Sequence, residues 1–355
     1  MYLFAADTHL SLNTWKSLPA VKGDSYRSFE QIINHAINNK AEAVILGGDI
    51  FDGTPIPDDV ECFLRGARRL KENNIKVLAI QGQHARSGTI PWTSIDPYVY
   101  WLCGSIPWFE LNNGVRIAGF DNMPINEIKE SLKKLDHKVN VVVLHQTCRG
   151  SVPDNQERWD FDPDWVPSTV RLVLMGDIHT PWETAREVKV GGKTLITKFI
   201  YSGSTCMRTL NEKPDKSFLE VEGLEARRIS LQTRPFFHYQ LLDDRQVQKA
   251  MSEISNVPPD SLVFVKHDPR IEKVEERIKS ANAQVHLVFR PIPVTIEGNT
   301  TFDPESIKSA SLEACLDSLI DSKEDAEFYS FMLVLLKSKK PKDSIQEFRK
   351  KTVGE

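Results

Sequence analysis

The sequence predicts a layered α/β fold in which one β-sheet packs on another. Three observations lead there. From Met1 to Ile80, short apolar strands alternate with amphipathic helices; the middle of the chain is mostly strand, much of it continuously apolar; and 355 residues with 40% apolar and 26% charged content can bury a sizeable core.

In chain order, "YLFAA" reads as a strand, Tyr26 to Asn39 as a helix, "AVILG" as a strand, Asp58 to Asn73 as a helix and "KVLAI" as a strand. The second helix follows Ile56-Pro57, so Asp58 is expected as its N-cap, and "KENNIK" supplies its stop. The segments "VRIAGFD", "VNVVVLHQ", "VRLVLMGDIH", "KTLITKFIYSGS", "KSFLEVEG" and "EARRISLQ" follow, mostly as strands. Several are near-continuous apolar runs, as expected of strands buried on both faces, which implies a second sheet against the first. A boundary falls at "QTRPFFHYQL", closing a first domain over residues 1–235. Beyond it "DDRQVQKAMSEIS", "SLVFVKHD", "IEKVEERIKSA" and "AQVHLVFRPI" read as helix, strand, helix, strand, a small α/β module over 236–295. Residues 296–355 carry two apolar stripes at helical spacing, Leu312, Leu316, Leu319 and Ile320, then Phe328, Phe331, Met332, Leu335 and Leu336.

Composition narrows the function classes. Five scattered cysteines, an odd number with no C-x-x-C pair, argue against a disulfide framework or a zinc ribbon. The opening "MYLFAADTHL" has no basic region or cleavage site, and no apolar run is long enough to span a bilayer, so a cytoplasmic protein with no membrane association is expected. A formal net charge of -4 gives no broad attraction to nucleic acid. Attraction to DNA would have to be local. The basic run "KSKKPKDSIQEFRKK" reads first as a solvated helix face.

Five segments share one design, an apolar strand followed at once by side chains that bind metals. They are Asp7-Thr8-His9, Gly48-Asp49-Ile50-Phe51-Asp52, Gly82-Gln83-His84, His145, and Gly176-Asp177-Ile178-His179. The carboxyl ends of strands in an α/β sheet converge on one edge, so ligands distant in sequence can meet there. Residues two apart on an extended chain point the same way. Mixed carboxylate and imidazole ligation suits manganese, iron or zinc. Each segment alone is a common loop; the five together, each at a strand end, are not.

In that order the residues resemble the calcineurin-like metallophosphoesterases, whose pattern is D-x-H, G-D-x-x-D, G-N-H-D or E, a lone H, and G-H-x-H. Within that superfamily, "GGDIFD", Tyr201-Ser202-Gly203-Ser204 and "RPFFHYQL" look like the SbcD type, the nuclease subunit of the SbcCD double-strand-break machinery, and the length and compact tail look like its phage-encoded recombination endonucleases. The resemblance implies a four-layer αββα sandwich, a small α/β capping module that would help bind DNA, and a helical tail that docks an SbcC-like SMC-type ATPase, with a homodimer inside the complex. It implies two divalent ions, manganese first and magnesium as an alternative. Carried over residue by residue, it implies that Asp7, His9, Asp49 and His179 hold one ion, that Asp49 bridges to a second held with Gln83, His145 and Asp177, and that Asp52 stands behind the ligands. His84 would be the catalytic imidazole beside the leaving oxygen. The expected activity is exonucleolytic and endonucleolytic cleavage of DNA in end processing, recombination, repair and replication, in a bacterial or phage-infected cell.

The chain departs from the pattern at three positions. Gln83 stands for asparagine, Ala85 for the acid after the histidine, and Asp177 for the first histidine of G-H-x-H. Glutamine keeps the amide oxygen one methylene further out. Ala85 removes a group that could orient His84. Asp177 would make the second ion's surroundings richer in anionic oxygen, tilting it toward manganese or magnesium. An active nuclease is therefore expected; the alternatives are a DNA-end-binding scaffold without turnover and a phosphodiesterase for small molecules.

Other residues have two readings. Arg86 and Arg208 suit substrate phosphates or local ion pairs. Trp92, Trp101 and Trp108 suit packing more than base stacking, and the Ser202-Gly203-Ser204 turn suits either a phosphate cradle or an ordinary turn.

Overall fold

The computed structural model of the chain describes residues 1–15, 18–84, 95–102, 108–151 and 159–292. The expected tail, the expected positions of Arg86 and Trp92, and Ala85 lie outside the described residues.

The first sheet is built from β1 (Tyr2–Ala5), β2 (Ala43–Gly47), β3 (Lys76–Ile80) and β4 (Tyr100–Trp101), all parallel, extended by antiparallel β11 (Ser217–Glu222) and β12 (Glu225–Ser230) in the order β12-β11-β1-β2-β3-β4. The second runs β5-β6-β7-β8-β10-β9. In it β6 (Arg116–Phe120), β7 (Val141–His145), β8 (Leu172–Gly176) and β10 (Lys193–Tyr201) are parallel, with β5 (Phe109–Glu110) and β9 (Trp182–Val190) antiparallel at the edges.

Alternation along the strands sorts their side chains into layers. Tyr2, Phe4, Ala43, Ile45, Leu78 and Ile80 meet Ile117, Val141, Val143, Leu172 and Leu174 between the two sheets. Their neighbours Leu3, Ala5, Val44, Leu46, Val77 and Ala79 face outward, under helices α1 (Asp24–Asn38) and α2 (Pro57–Glu72), which supply Phe29, Ile32, Ile33, Phe63 and Leu70. Beyond the second sheet, Val142, Leu144, Val173, Met175 and Phe199 pack on Ile128 and Leu132 of α3 (Ile125–Lys133) and on Phe161. The order helix, sheet, sheet, helix is the expected four-layer arrangement. Burying one such Leu, Ile or Phe side chain stabilises the fold by about 1.5–3 kcal/mol, and both faces of each sheet contribute.

Two local readings change. Helix α2 begins at Pro57 with Ile56 as its N-cap, and the capping carboxylate is Asp59, which accepts from the Ile56 N–H at 2.9 Å and from the Leu12 N–H at 2.7 Å. Proline at the first helical position needs no N–H partner, so the start shifts back from Asp58. "FFHYQL" is not only a boundary: β13 (Phe236–Leu241) pairs in parallel with β14 (Leu262–His267), and β14 with β15 (His286–Pro291). Helices α4 (Asp244–Ile254) and α5 (Val274–Ala281) cover one face of this small sheet through Val247, Ala250, Ile254, Val274 and Ile278.

A buried arginine joins the small sheet to the start of helix α1. Arg234 donates from Nε and Nη2 to Asp24, at 2.7 Å for the shortest contact, and from Nη1 to the Asp260 carbonyl at 2.6 Å. Trp15, Met207, Phe236 and Leu262 close over the same joint. Breaking a buried pair of this kind costs about 3–5 kcal/mol. The described cysteines Cys62, Cys148 and Cys206 are buried free thiols. Among the described residues, no helix is long and apolar enough to cross a membrane.

Candidate metal centre

The loops after β1, β2, β3, β7 and β8 converge where the carboxyl ends of the two sheets meet. Their backbone is unusually bent. Asp7 (φ 52°), His9 (φ 40°), Asp49 (φ 45°) and Asp177 (φ 98°) all take positive φ, a conformation that side-chain-bearing residues adopt mostly where surrounding contacts impose it. Here the Asp7 N–H bonds the Gly48 carbonyl at 3.2 Å and the His9 N–H bonds the Asp49 carbonyl at 2.9 Å, tying the first two loops together. Gly82 lets the third approach: a Cβ there would lie 2.1 Å from Asp49 Oδ1.

Three overlapping sets of side chains bring ligand atoms within 4.8 Å of one another: Asp7, His9 and His179; His9, Asp49 and His84; Asp7, Asp49 and His145. Asp49 sits among them, with Oδ2 3.5 Å from His145 Nε2, 3.6 Å from His84 Nε2 and 3.9 Å from His9 Nε2. Asp7 Oδ1 lies 3.8 Å from the Nε2 atoms of His9 and His179 and 3.9 Å from that of His145. These separations are too long for good hydrogen bonds and suit donors arranged around a common point.

The donors also have the right protonation chemistry. The Gly47 carbonyl can only accept, so the 2.7 Å contact from His145 Nδ1 puts the proton on Nδ1 and turns the Nε2 lone pair toward the carboxylates. That Nε2 is fully buried and makes no hydrogen bond among the described residues. His9 Nε2 is 3.1 Å from His179 Nε2 and 3.1 Å from Arg208 Nη1, so it too acts as an acceptor. Burial, reinforced by Arg208 and His179, holds His9 well below the usual histidine range, so its Nε2 carries a lone pair, here taken by Arg208. Burial pushes the Asp7 carboxyl up despite His145 and His179. Burial opposes protonation of His145, but Asp49 and Asp7 outweigh it and push the imidazole up to about 9. A divalent ion at this cluster would offset the two carboxylates, and the residues present fit one.

The remaining expected residues are placed as follows. His84 lies at the mouth, 41% exposed, and its N–H bonds Asp49 Oδ1 at 3.1 Å. Asp52 and Arg208 form a pair, Nη2 to Oδ1 at 2.5 Å, with Asp52 nearly buried. Gln83 and Asp177 face each other: Gln83 Nε2 donates to Asp177 Oδ1 at 2.7 Å, while Thr147 Oγ1 donates to Asp177 Oδ2. The Asp177 carboxylate belongs to none of the three sets, although its N–H reaches Asp7 at 3.1 Å. The Ser202–Ser204 turn is buried and bonded inward, Ser202 Oγ to the Ala6 N–H at 3.3 Å and the Ser204 N–H to the His179 carbonyl at 3.1 Å. It braces the ligand loops. Trp101 and Trp108 pack against the cores on either side of the sandwich.

Residues not singled out from sequence complete the site. Glu212 stands 3.7 Å from His179 Nδ1 and also takes Lys216 at 2.6 Å; burial opposes its charge, but His179 and Lys216 bring its carboxyl down to about 2. Asn122 donates to the His145 carbonyl at 2.8 Å. It follows the apolar strand β6, so the same strand-end rule could have found it. Glu212 follows no strand end, and only the tertiary fold brings it to His179.

The chain matches the family model described as calcineurin-like phosphoesterase over residues 2–181. It is 29% identical over 289 residues to the DNA double-strand break repair protein Mre11 of Methanosarcina mazei, which covers 74% of this chain and 44% of that one. The Haloferax volcanii protein of the same name is 24% identical over 368 residues, 97% of this chain and 72% of the relative. That of Methanocaldococcus jannaschii is 25% identical over 298 residues, 75% and 76% of the two chains. The chain thus spans less than half the length of the Methanosarcina relative.

Proposed function

The chain belongs to the calcineurin-like phosphoesterase family, and from that premise we propose that it is a metal-dependent DNA nuclease whose strand-end cluster is a two-metal phosphodiesterase centre. The observation that carries this reading is the group around Asp7 and Asp49, in which carboxylate and imidazole ligand atoms fall in three overlapping sets, each within 4.8 Å. DNA as the substrate is supported by the likeness to three double-strand break repair proteins.

Asp7, His9, Asp49 and His179 would hold one ion; Asp49, His145 and the Gln83 amide oxygen would hold the other. Two divalent ions, manganese or magnesium, would offset phosphodiester charge and activate water for in-line attack. The protein's own part is more specific. Glu212 sets a negative charge beside the ring of His179, and the Gly47 carbonyl fixes the tautomer of His145. His84, exposed at the mouth, would give a proton to the leaving oxygen. Arg208, held from behind by Asp52, presents its guanidinium to a backbone phosphate. In the cell the nuclease would work in an SbcCD-like end-processing complex, its tail bound to an SMC-type ATPase.

The test is cleavage of linear duplex and single-stranded DNA with manganese, magnesium or chelator, for the unchanged protein and for His84→Ala. Expected are products with manganese, none with chelator, and a rate lower by about 10²-fold or more in the variant. Equal rates in both proteins would remove His84 from the chemistry. Binding to DNA ends with no cleavage by any metal would make the chain a scaffold, and turnover confined to small phosphodiesters would remove DNA as substrate.

A further inference from the structure

Two of the chain's departures from the family pattern touch each other. Gln83 follows β3 and Asp177 follows β8, strands of different sheets, yet the Gln83 side-chain nitrogen donates to Asp177 Oδ1 at 2.7 Å. A carboxylate only accepts, so the contact fixes which end of the amide faces it: the NH₂ is turned to Asp177 and the oxygen is left for another partner. The second carboxylate oxygen is taken by Thr147 Oγ1, so both acceptor atoms of Asp177 are engaged by protein donors. Its backbone is pinned as well, by the N–H bond to Asp7 at 3.1 Å and the positive φ of 98°. A side chain held at both oxygens and at the main chain is a rigid post. The amide it holds belongs to Gln83, next to Gly82, where the backbone runs so close to Asp49 that a Cβ would collide.

From this geometry we propose that Asp177 is a positioning residue: it holds the Gln83 amide so that the oxygen, and not the nitrogen, is offered to the second ion, which makes Gln83 and Asp177 one functional unit. The extra methylene of glutamine adds a rotatable bond and leaves the two ends of the amide free to exchange. The acidic partner removes that freedom. A histidine at 177 has no pair of oxygens to share between Thr147 and an amide, so the two substitutions make sense together. The inference rests on the two-ion reading above and refines it, because it gives Asp177, expected from the sequence as a ligand, a supporting role that depends on Gln83.

A double-mutant cycle read by manganese binding separates these roles. Manganese is titrated into metal-free Gln83→Ala, Asp177→Ala, the double variant and the unchanged protein, with stoichiometry and affinity from calorimetry and the paired-ion signal from electron paramagnetic resonance. The unchanged protein is expected to bind two ions. Each single variant should weaken only the second ion, by about 10- to 100-fold, the range seen when a residue supporting a metal ligand is lost. The double variant should be no weaker than Gln83→Ala alone. Asp177→Asn, the same size but able to turn either end of its amide to Gln83, should also weaken only the second ion while leaving the first at full affinity, which guards against a folding failure in Asp177→Ala; unchanged affinity for both ions would show that the carboxylate does not set the amide's orientation. Losses that multiply in the double variant would show that Asp177 acts independently of Gln83 and would overturn the inference alone. A single ion in the unchanged protein would overturn the two-ion reading and the inference with it.

Discussion

Arg208 links the ligand cluster to the outside. One nitrogen lies 3.1 Å from His9 Nε2 and the other 2.5 Å from Asp52 Oδ1. Were His9 Nε2 to serve an ion as proposed, the first nitrogen would be released while Asp52 kept the guanidinium in place for a phosphate. Arg208→Gln should therefore keep two bound ions while raising the KM for DNA by about tenfold, and should lower the steepness of salt-dependent DNA binding by about one phosphate contact. An unchanged salt dependence would confine Arg208 to its pair with Asp52. The strand-end residues were legible from sequence because a side chain just past an apolar strand has few other places to point. Arg208 reads as a phosphate contact or an ion-paired residue, but its partners Asp52 and His9 were not legible, since they lie 156 and 199 residues away. The same holds for Gln83 and Asp177, which read as two separate ligand substitutions until the fold placed one against the other.

The secondary-structure elements were readable wherever burial on both faces made them continuously apolar, as in β1, β2, β3, β7 and β8. Strand β9 was missed because it is a half-exposed edge strand with the polar sequence "WETAREVKV". Its signal lay in the turn: Gly191 (φ 56°) and Gly192 (φ 81°) close a two-residue hairpin in which Val190 pairs with Lys193. Strand β13 was read only as a boundary, although Phe237, Tyr239 and Leu241 alternate along it and pack on the small sheet's own core. That sheet meets the larger domain through Asp260, which accepts from His286 Nε2 at 2.9 Å and pairs with Arg27 and Arg234. Partial burial opposes its charge, but His286, Arg234 and Arg27 prevail and bring the carboxyl down to about 2. An unfolded aspartate titrates near 3.9, so this contribution to stability is complete above about pH 5 and is lost as pH falls through 4 toward 2. Asp260→Asn, which tolerates the left-handed backbone at φ 64°, should flatten the acid limb of a plot of Tm against pH between 4 and 2. A variant as acid-sensitive as the unchanged protein would show that the pairs at this joint add nothing.

For the whole molecule, a net charge of -4 means that DNA is not drawn by a generally basic surface. What the fold offers is local: two sheets whose carboxyl ends meet, two buried acids among four imidazoles, and, among the described residues, Arg208 beside them. The layered architecture followed from the alternation of strands and helices, but the meeting of loops from two different sheets depended on how the sheets stack, which no single segment encodes. That meeting brings the carboxylate and imidazole ligand atoms around Asp7 and Asp49 together, the arrangement on which the proposed two-cation centre rests. Crystals grown or soaked with manganese, with diffraction recorded on both sides of its absorption edge, would locate the ions independently of turnover. The expected result is two anomalous peaks, about 3.5–4 Å apart, with Asp49 touching both, His9 and His179 on one and His145 on the other. A single peak, or two that do not share Asp49, would contradict the two-metal centre.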